Sequence, residues 1–287
     1  MTVGIGPIKP LIGGIVHVDT AHPTDPEVVE DRGVLLFPQI HATDDEQLAL
    51  TDALGNRVNF THSVPGLDAT HQDVYKITLN KSVNSEPDYV LGTFLWHIDG
   101  IAIDQPLLKA TLVSARTLSS EGGSTEFANL YAAHDRLSDR ETPSRHARDP
   151  HHRGGGAPRV RHPAAGPAGA LARMAEPMEQ PLVWTHDDGR KSLLLGNHTD
   201  GIVGWRGPNG RSLLWRLMQW AAQPNFVYTH EWQVGDLVLW NNKRPMRRVV
   251  PYTDPDRVMH RTTIAGGEKP EHATSAEAMA KMLETVY

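Results

Sequence analysis

Apolar residues in this chain come in short runs of about one strand's length, which points to a fold built mainly from sheet. Val34-Leu35-Leu36-Phe37 follows Gly33 and is stopped by Pro38, the pattern of a buried strand. Further strands are expected over 74–79, 109–116, 226–232, 237–240 and 258–264, and a hairpin over 181–196 about the turn Asp187-Asp188-Gly189. Helical signals are fewer. Thr43 reads as an N-cap with Asp44, Asp45 and Glu46 in the first turn, and Gly55 ends that helix. A second helix is expected from about Ala128. A third, over 211–223, carries Leu213, Leu214, Leu217 and Trp220 on one face. A last one, over 274–286, has Glu277 placed to box Thr274 and offers a surface for self-association as a homo-oligomer. Many short strands flanked by helices predict a mostly β chain, with a sandwich or barrel core decorated by helices. The 287 residues suffice for a single domain over 1–287 with a substantial core.

Composition removes several function classes. There is no Cys, so disulfides, thiolate metal sites and a cysteine nucleophile are excluded; the 16 His leave imidazole and carboxylate as the available metal ligands. A net charge of -6 argues against a generic nucleic-acid partner. No run approaches the roughly 20 apolar residues of a membrane helix. The opening MTVGIGPIKPLIGG lacks the pattern of a secretory signal, so a cytoplasmic location is expected. GxGxxG after a strand, P-loop, HExxH and G-x-S-x-G motifs are absent.

One stretch stands apart. Residues 145–173 are dense in Arg, His, Pro, Gly and Ala, with almost no large apolar side chains and neither a strand nor a helix period. Such a segment buries too little to offset the entropy of ordering. It reads as a low-order insertion or lid over about 143–175, as coding sequence out of frame with its flanks, or as a basic nucleic-acid-binding loop.

The chemistry is concentrated in Trp96-His97-Ile98-Asp99-Gly100. Alternation along a strand sends the His97 and Asp99 side chains to the same side. An imidazole and a carboxylate so placed form two-thirds of a facial triad for Fe(II). By itself the pair is also what a surface His beside a turn Asp would look like.

Four other landmarks follow the same order as in a known family. GGIVHVD opens the chain, RGVLLFPQIHATDDEQLALTDALG gives a strand and helix, and Gly122-Gly123-Ser124-Thr125 follows Trp96–Asp99. GDLVLWNNKRPMRRVVPYTDPDRVMHRTTIAGG closes the set. The chain resembles the taurine dioxygenase (TauD/TfdA) family of Fe(II)- and 2-oxoglutarate-dependent dioxygenases. The resemblance implies a double-stranded β-helix (jelly roll) of the clavaminate synthase-like type. It makes His97 and Asp99 iron ligands and Thr125 a hydrogen-bonding partner of the distal 2-oxoglutarate carboxylate. Arg257 would form the salt bridge to that carboxylate, and Arg261 would help hold an anionic substrate group near the iron. The implied cofactors are Fe(II) and 2-oxoglutarate. The implied partners are dioxygen and a small anionic organic substrate, which would be hydroxylated. Without that context, Arg257 and Arg261 would read as strand-end charges pairing with Asp254 or Asp256.

The departure is at residue 247. Where the family pattern places its second iron His, this chain has Arg247, and the preceding Trp-Asp-Asn is Trp240-Asn241-Asn242. A guanidinium has no lone pair to give a cation. Three readings stand: weak iron binding through His97, Asp99 and water; a replacement ligand, for which His198 and His260 are nearest; or errors in the sequence. His260 is expected on the strand face opposite Arg257 and Arg261. Functionally, these leave a dioxygenase or a catalytically impaired member acting as a small-molecule binding protein.

Overall fold

Strand alternation sorts the chain into three layers. The computed structural model describes residues 4–17, 32–58, 73–84, 87–101, 108–137, 159–162 and 178–266. Its largest sheet has seven strands: β1 (Gly4–Pro7), β2 (Gly14–His17), β3 (Val34–Phe37), β13 (Leu237–Asn241), β5 (Ala110–Thr117), β15 (Val258–Ile264) and β4 (Tyr75–Ile77), in that spatial order. All its pairings are antiparallel except β2 with β3. A three-stranded sheet sets β6 (Thr125–Asn129) between β12 (Val227–His230) and β14 (Pro245–Val249). A second three-stranded sheet is made of β7 (Arg159–His162), β8 (Met178–Pro181) and β11 (Gly201–Ile202), and β9 (Val183–Thr185) pairs with β10 (Lys191–Leu193). The helices are α1 (Asp44–Leu54), α2 (Pro87–Gly92), α3 (Leu130–Asp135) and α4 (Gly207–Ala221).

On β5 and β13, Ala110, Leu112, Leu237 and Leu239 face outward and pack with Leu54 of α1. Val113, Ala115, Val238 and Trp240 face inward, where they meet Phe127 and Tyr228 of the smaller sheet. This inward layer is where the strand period leaves room for a site: side chains from two sheets converge on it. A third cluster packs α4, through Leu213, Leu214 and Leu217, against β9, β10 and α3.

Helix α1 fixes the outer face of β15. Thr43 and Glu46 cap its start reciprocally, as a capping box. From its buried face Gln47 accepts from Ser114 Oγ at 2.7 Å and donates to the His260 carbonyl at 3.2 Å and to Thr262 Oγ1 at 3.3 Å. His260 points to the same side and meets Asp44 at 2.7 Å. The expected alternation therefore holds: His260 faces the helix and Arg261 the interior.

Two expectations are corrected. The helix expected from about Ala128 starts at Leu130; Ala128 lies in β6, and Asn129 caps the helix by accepting from the Ala132 amide. Pairing with Val227 and Met246 on both sides holds Ala128 extended against its helical propensity. Within the stretch read as unable to order, residues 159–162 form β7, and Val160 is fully buried beside Ile202 and Leu182. One apolar side chain suffices there because strands on both sides supply the backbone hydrogen bonds. The remainder of 143–175 and the expected helix over 274–286 lie outside the described residues. No helix among the described residues is long and apolar enough to cross a membrane.

Gln47→Leu keeps the volume but strips partners from a buried hydroxyl and a buried carbonyl. It is expected to cost about 3 kcal/mol, read as a lowered urea midpoint at unchanged slope.

Candidate functional site

His97 and Arg247 are directly opposed. Each donates its amide to the other's carbonyl at 2.9 Å, an antiparallel bridge that puts both side chains on one face. Asp99, two residues on, shares that face, and all three are buried. Arg247 reaches across to the carboxylate with both prongs: Nε donates to Oδ2 at 3.1 Å and Nη2 to Oδ1 at 2.9 Å. Its guanidinium carbon lies 4.8 Å from the Trp240 ring centroid. From β15, Arg261 Nη2 stands 3.6 Å from Asp99 Oδ1. Asn242 donates to Thr111 Oγ1 at 3.0 Å, and that hydroxyl lies 3.5 Å from Asp99 Oδ2. Arg248 turns the other way, to Glu126 and the Trp96 ring.

Burial would raise the Asp99 carboxyl, but Arg247 and then Arg261 outweigh it and hold it well below the usual carboxylate range. Burial pushes His97 down to about 3, with Arg247 adding to the effect and Asp99 opposing it. His97 is therefore neutral near pH 7. Its Nδ1 lies 2.8 Å from the Leu95 carbonyl, which assigns the proton to Nδ1. Nε2 keeps its lone pair, buried and without a hydrogen bond among the described residues, 3.7 Å from Asp99 Oδ1.

Fe(II) would have to be held by the donors present here. His97 Nε2 suits a metal. Both oxygens of Asp99, however, accept from Arg247, and the third position holds a cation instead of a donor. A divalent ion about 4 Å from that guanidinium would be repelled by about 8 kcal/mol at an effective dielectric of 20. His198 stands close, its ring 6.1 Å from that of His97, yet among the described residues no three His, Cys, Asp or Glu form a metal-holding set. His260 is turned to Asp44, on the far side of the sheet. The donor set does not fit the metal.

A second group lies along the same inward face of β6. Gly122 and Gly123 lead into the strand with positive φ; a Cβ on Gly122 would stand 2.2 Å from the Pro251 carbonyl oxygen, so only glycine makes this turn. Arg257 donates to the Gly123 carbonyl at 3.0 Å and lies over the Tyr252 ring at 4.5 Å. It is 2% exposed, and its Nε has no hydrogen-bond partner among the described residues. Thr125 accepts from the Trp232 indole at 3.0 Å, which turns its hydroxyl proton toward another acceptor. Trp232 is steadied edge-on by His230, whose Nδ1 meets Tyr228 Oη at 2.9 Å and whose Nε2 lies 3.1 Å from Asp236. Arg257 and Arg261 thus do not pair with Asp254 or Asp256; Arg261 turns to Asp99 and Arg257 to a carbonyl and an aromatic face.

Residues 19–263 match the family described as taurine catabolism dioxygenase TauD, TfdA family. The chain belongs to the TauD/TfdA dioxygenase family. It is 30% identical over 268 residues to the alpha-ketoglutarate-dependent 2,4-dichlorophenoxyacetate dioxygenase of Cupriavidus pinatubonensis, covering 86% of this chain and 92% of that one. It is 28% identical over 258 residues to the (S)-phenoxypropionate/alpha-ketoglutarate-dioxygenase of Sphingobium herbicidovorans, covering 85% of each. The crystal structure of AAD-2 with Mn(II) and N-oxalylglycine superposes with a TM-score of 0.71 at 29% identity, over 94% of this chain and 100% of the other. By family the chain is an oxidoreductase of the 2-oxoglutarate-dependent dioxygenases, whose cofactors are 2-oxoglutarate and a divalent metal, Fe(II).

Several site residues carried no sequence signal. Thr111 and Trp232 reach the site only through contacts between segments distant in sequence. Trp240 was legible as part of a landmark, but its stacking under Arg247 was not.

Two tests follow from the charges. Asp99→Asn keeps the shape but removes the carboxylate facing buried Arg247 and Arg261, and should cost about 3–5 kcal/mol in urea unfolding. His97 has a folded pKa below its unfolded one, so acid favours the unfolded chain. Stability should fall as pH drops from about 6.5 toward 3, and His97→Gln should flatten that part of the profile. Asp99, also depressed, loses its contribution only in stronger acid, below about pH 4.

Proposed function

We propose that this chain is a TauD/TfdA-type protein that binds 2-oxoglutarate or a similar small organic anion, with oxygenase turnover held near background by Arg247. The observation that carries this is the two-pronged Arg247–Asp99 pair. It engages both oxygens of the one carboxylate that would ligate iron and adds a positive charge beside it. In this reading the chain is a single jelly-roll domain. Thr125 and Arg257 hold a carboxylate, the first by its hydroxyl and the second by a planar fork that a lysine could not reproduce. Arg261 lies near enough to Asp99 to share the role of ordering the site or to meet an anionic substrate group. The relatives are named for carboxylate substrates, 2,4-dichlorophenoxyacetate and (S)-phenoxypropionate, which supports a small anionic ligand here.

A second reading, a hydroxylating dioxygenase with low activity, is favoured by His97 Nε2, whose buried lone pair has no hydrogen bond. The two readings separate in one assay. With added Fe(II), 2-oxoglutarate and ascorbate, the unmodified chain should form succinate at the no-enzyme rate and carry little iron. Arg247→His should raise iron content toward one per chain and succinate formation at least tenfold. Succinate formation by the unmodified chain above the no-enzyme rate would overturn the proposal.

A further inference from the structure

We propose that Arg247 stands in for the metal's positive charge, so that the site takes a small dicarboxylate without any divalent cation. The inference rests on the anion-binding reading above and goes beyond it in dispensing with the metal. Three observations point this way. First, Arg257 is a buried guanidinium whose contacts among the described residues are neutral, a carbonyl and an aromatic face, and its Nε is unbonded. A buried cation without a counter-charge is costly, and an anion relieves that cost. Second, Arg247 engages Asp99 through Nε and Nη2, leaving Nη1 to donate elsewhere. Third, β6 links the two guanidinium groups. Arg257 sits at Gly123, just ahead of the strand, and Arg247 is paired in register with Phe127. Those points are about 13 Å apart along the strand, and Thr125 lies midway on the same face, hydroxyl proton free to turn. A molecule with a carboxylate at each end fits this order of donors. A monoanion at Arg257 would not reach the remaining Nη1 donor of Arg247.

The test is isothermal titration of the full chain with 2-oxoglutarate, once in excess EDTA and once with Mn(II). The dissociation constant should agree within threefold between the two. Arg257→Gln should weaken binding at least tenfold in both. Arg247→His should make binding depend on metal, weak in EDTA and at least tenfold tighter with Mn(II). Because Arg257→Gln could disturb the fold, its circular dichroism and unfolding midpoint are compared first, and acetate is titrated as a one-carboxylate control that should bind at least tenfold more weakly than 2-oxoglutarate. Binding to the unmodified chain only with Mn(II), no binding in either buffer, or acetate binding as tightly as 2-oxoglutarate would each overturn the inference. None of these readouts involves oxygen or turnover. A chain that made succinate rapidly with Fe(II) would overturn the proposed function, and the EDTA titration would still read the metal requirement separately.

Discussion

A single carboxylate, Asp99, sits buried with a guanidinium on two sides. Arg247 holds it through two hydrogen bonds and Arg261 approaches at 3.6 Å. Arg247 comes from the smaller sheet and Arg261 from the larger, so the ion pair ties the two sheets together at their inner face. At about 3 Å and an effective dielectric of 20, one such pair is worth about 5 kcal/mol of attraction, most of which goes to offset the cost of removing both charges from water. Its larger consequence is specificity. Burial, with Arg247 beside it, keeps the neighbouring His97 neutral, and with Asp99 committed to Arg247 the guanidinium groups of Arg247, Arg257 and Arg261 outnumber the one carboxylate.

Much of this was legible in the residues. The capping signals at Thr43 and Gly55 each act within the turn they close, and the helix begins and ends where they say. Past the irregularity between Val258 and Met259, side chains of the strand that ends at Ile264 alternate in direction, which is enough to send His260 to α1 and Arg261 inward. The same rule puts His97 beside Asp99. What was not legible is long in sequence and short in space. Asp99 and Arg247 are 148 positions apart, and only the bridge at His97 makes them neighbours. The sequence showed that a cation replaced a ligand; it did not show that the cation would turn onto the remaining acid. Trp232 reaches Thr125 across 107 positions for the same reason.

The failures have a common cause too. Ala128 carries a helical preference and residues 159–162 carry almost no preference at all, yet both are strands. In each, neighbours already in sheet supply hydrogen bonds on both sides. Local propensity amounts to tenths of a kcal/mol per residue, whereas leaving a buried amide or carbonyl unpaired costs about 1–3 kcal/mol. Tertiary pairing therefore wins wherever the flanking strands are fixed first.

A guanidinium can replace a metal ion in one respect only. It brings positive charge and a planar set of donors, so it can neutralise a carboxylate and meet an anion. It brings no empty orbital, so it cannot accept a lone pair, hold dioxygen or change oxidation state. Substituting Arg for His at residue 247 thus separates two properties that a metal centre combines. In the proposed reading, charge complementarity to an anionic ligand is retained, because Arg247 and Arg257 remain, and the capacity for oxidation is lost, because the acid that would share the metal is held by the arginine instead. A fold whose ligand subsite lies on a different strand from its metal ligands can lose the second property and keep the first, and the arrangement proposed about β6 has that form.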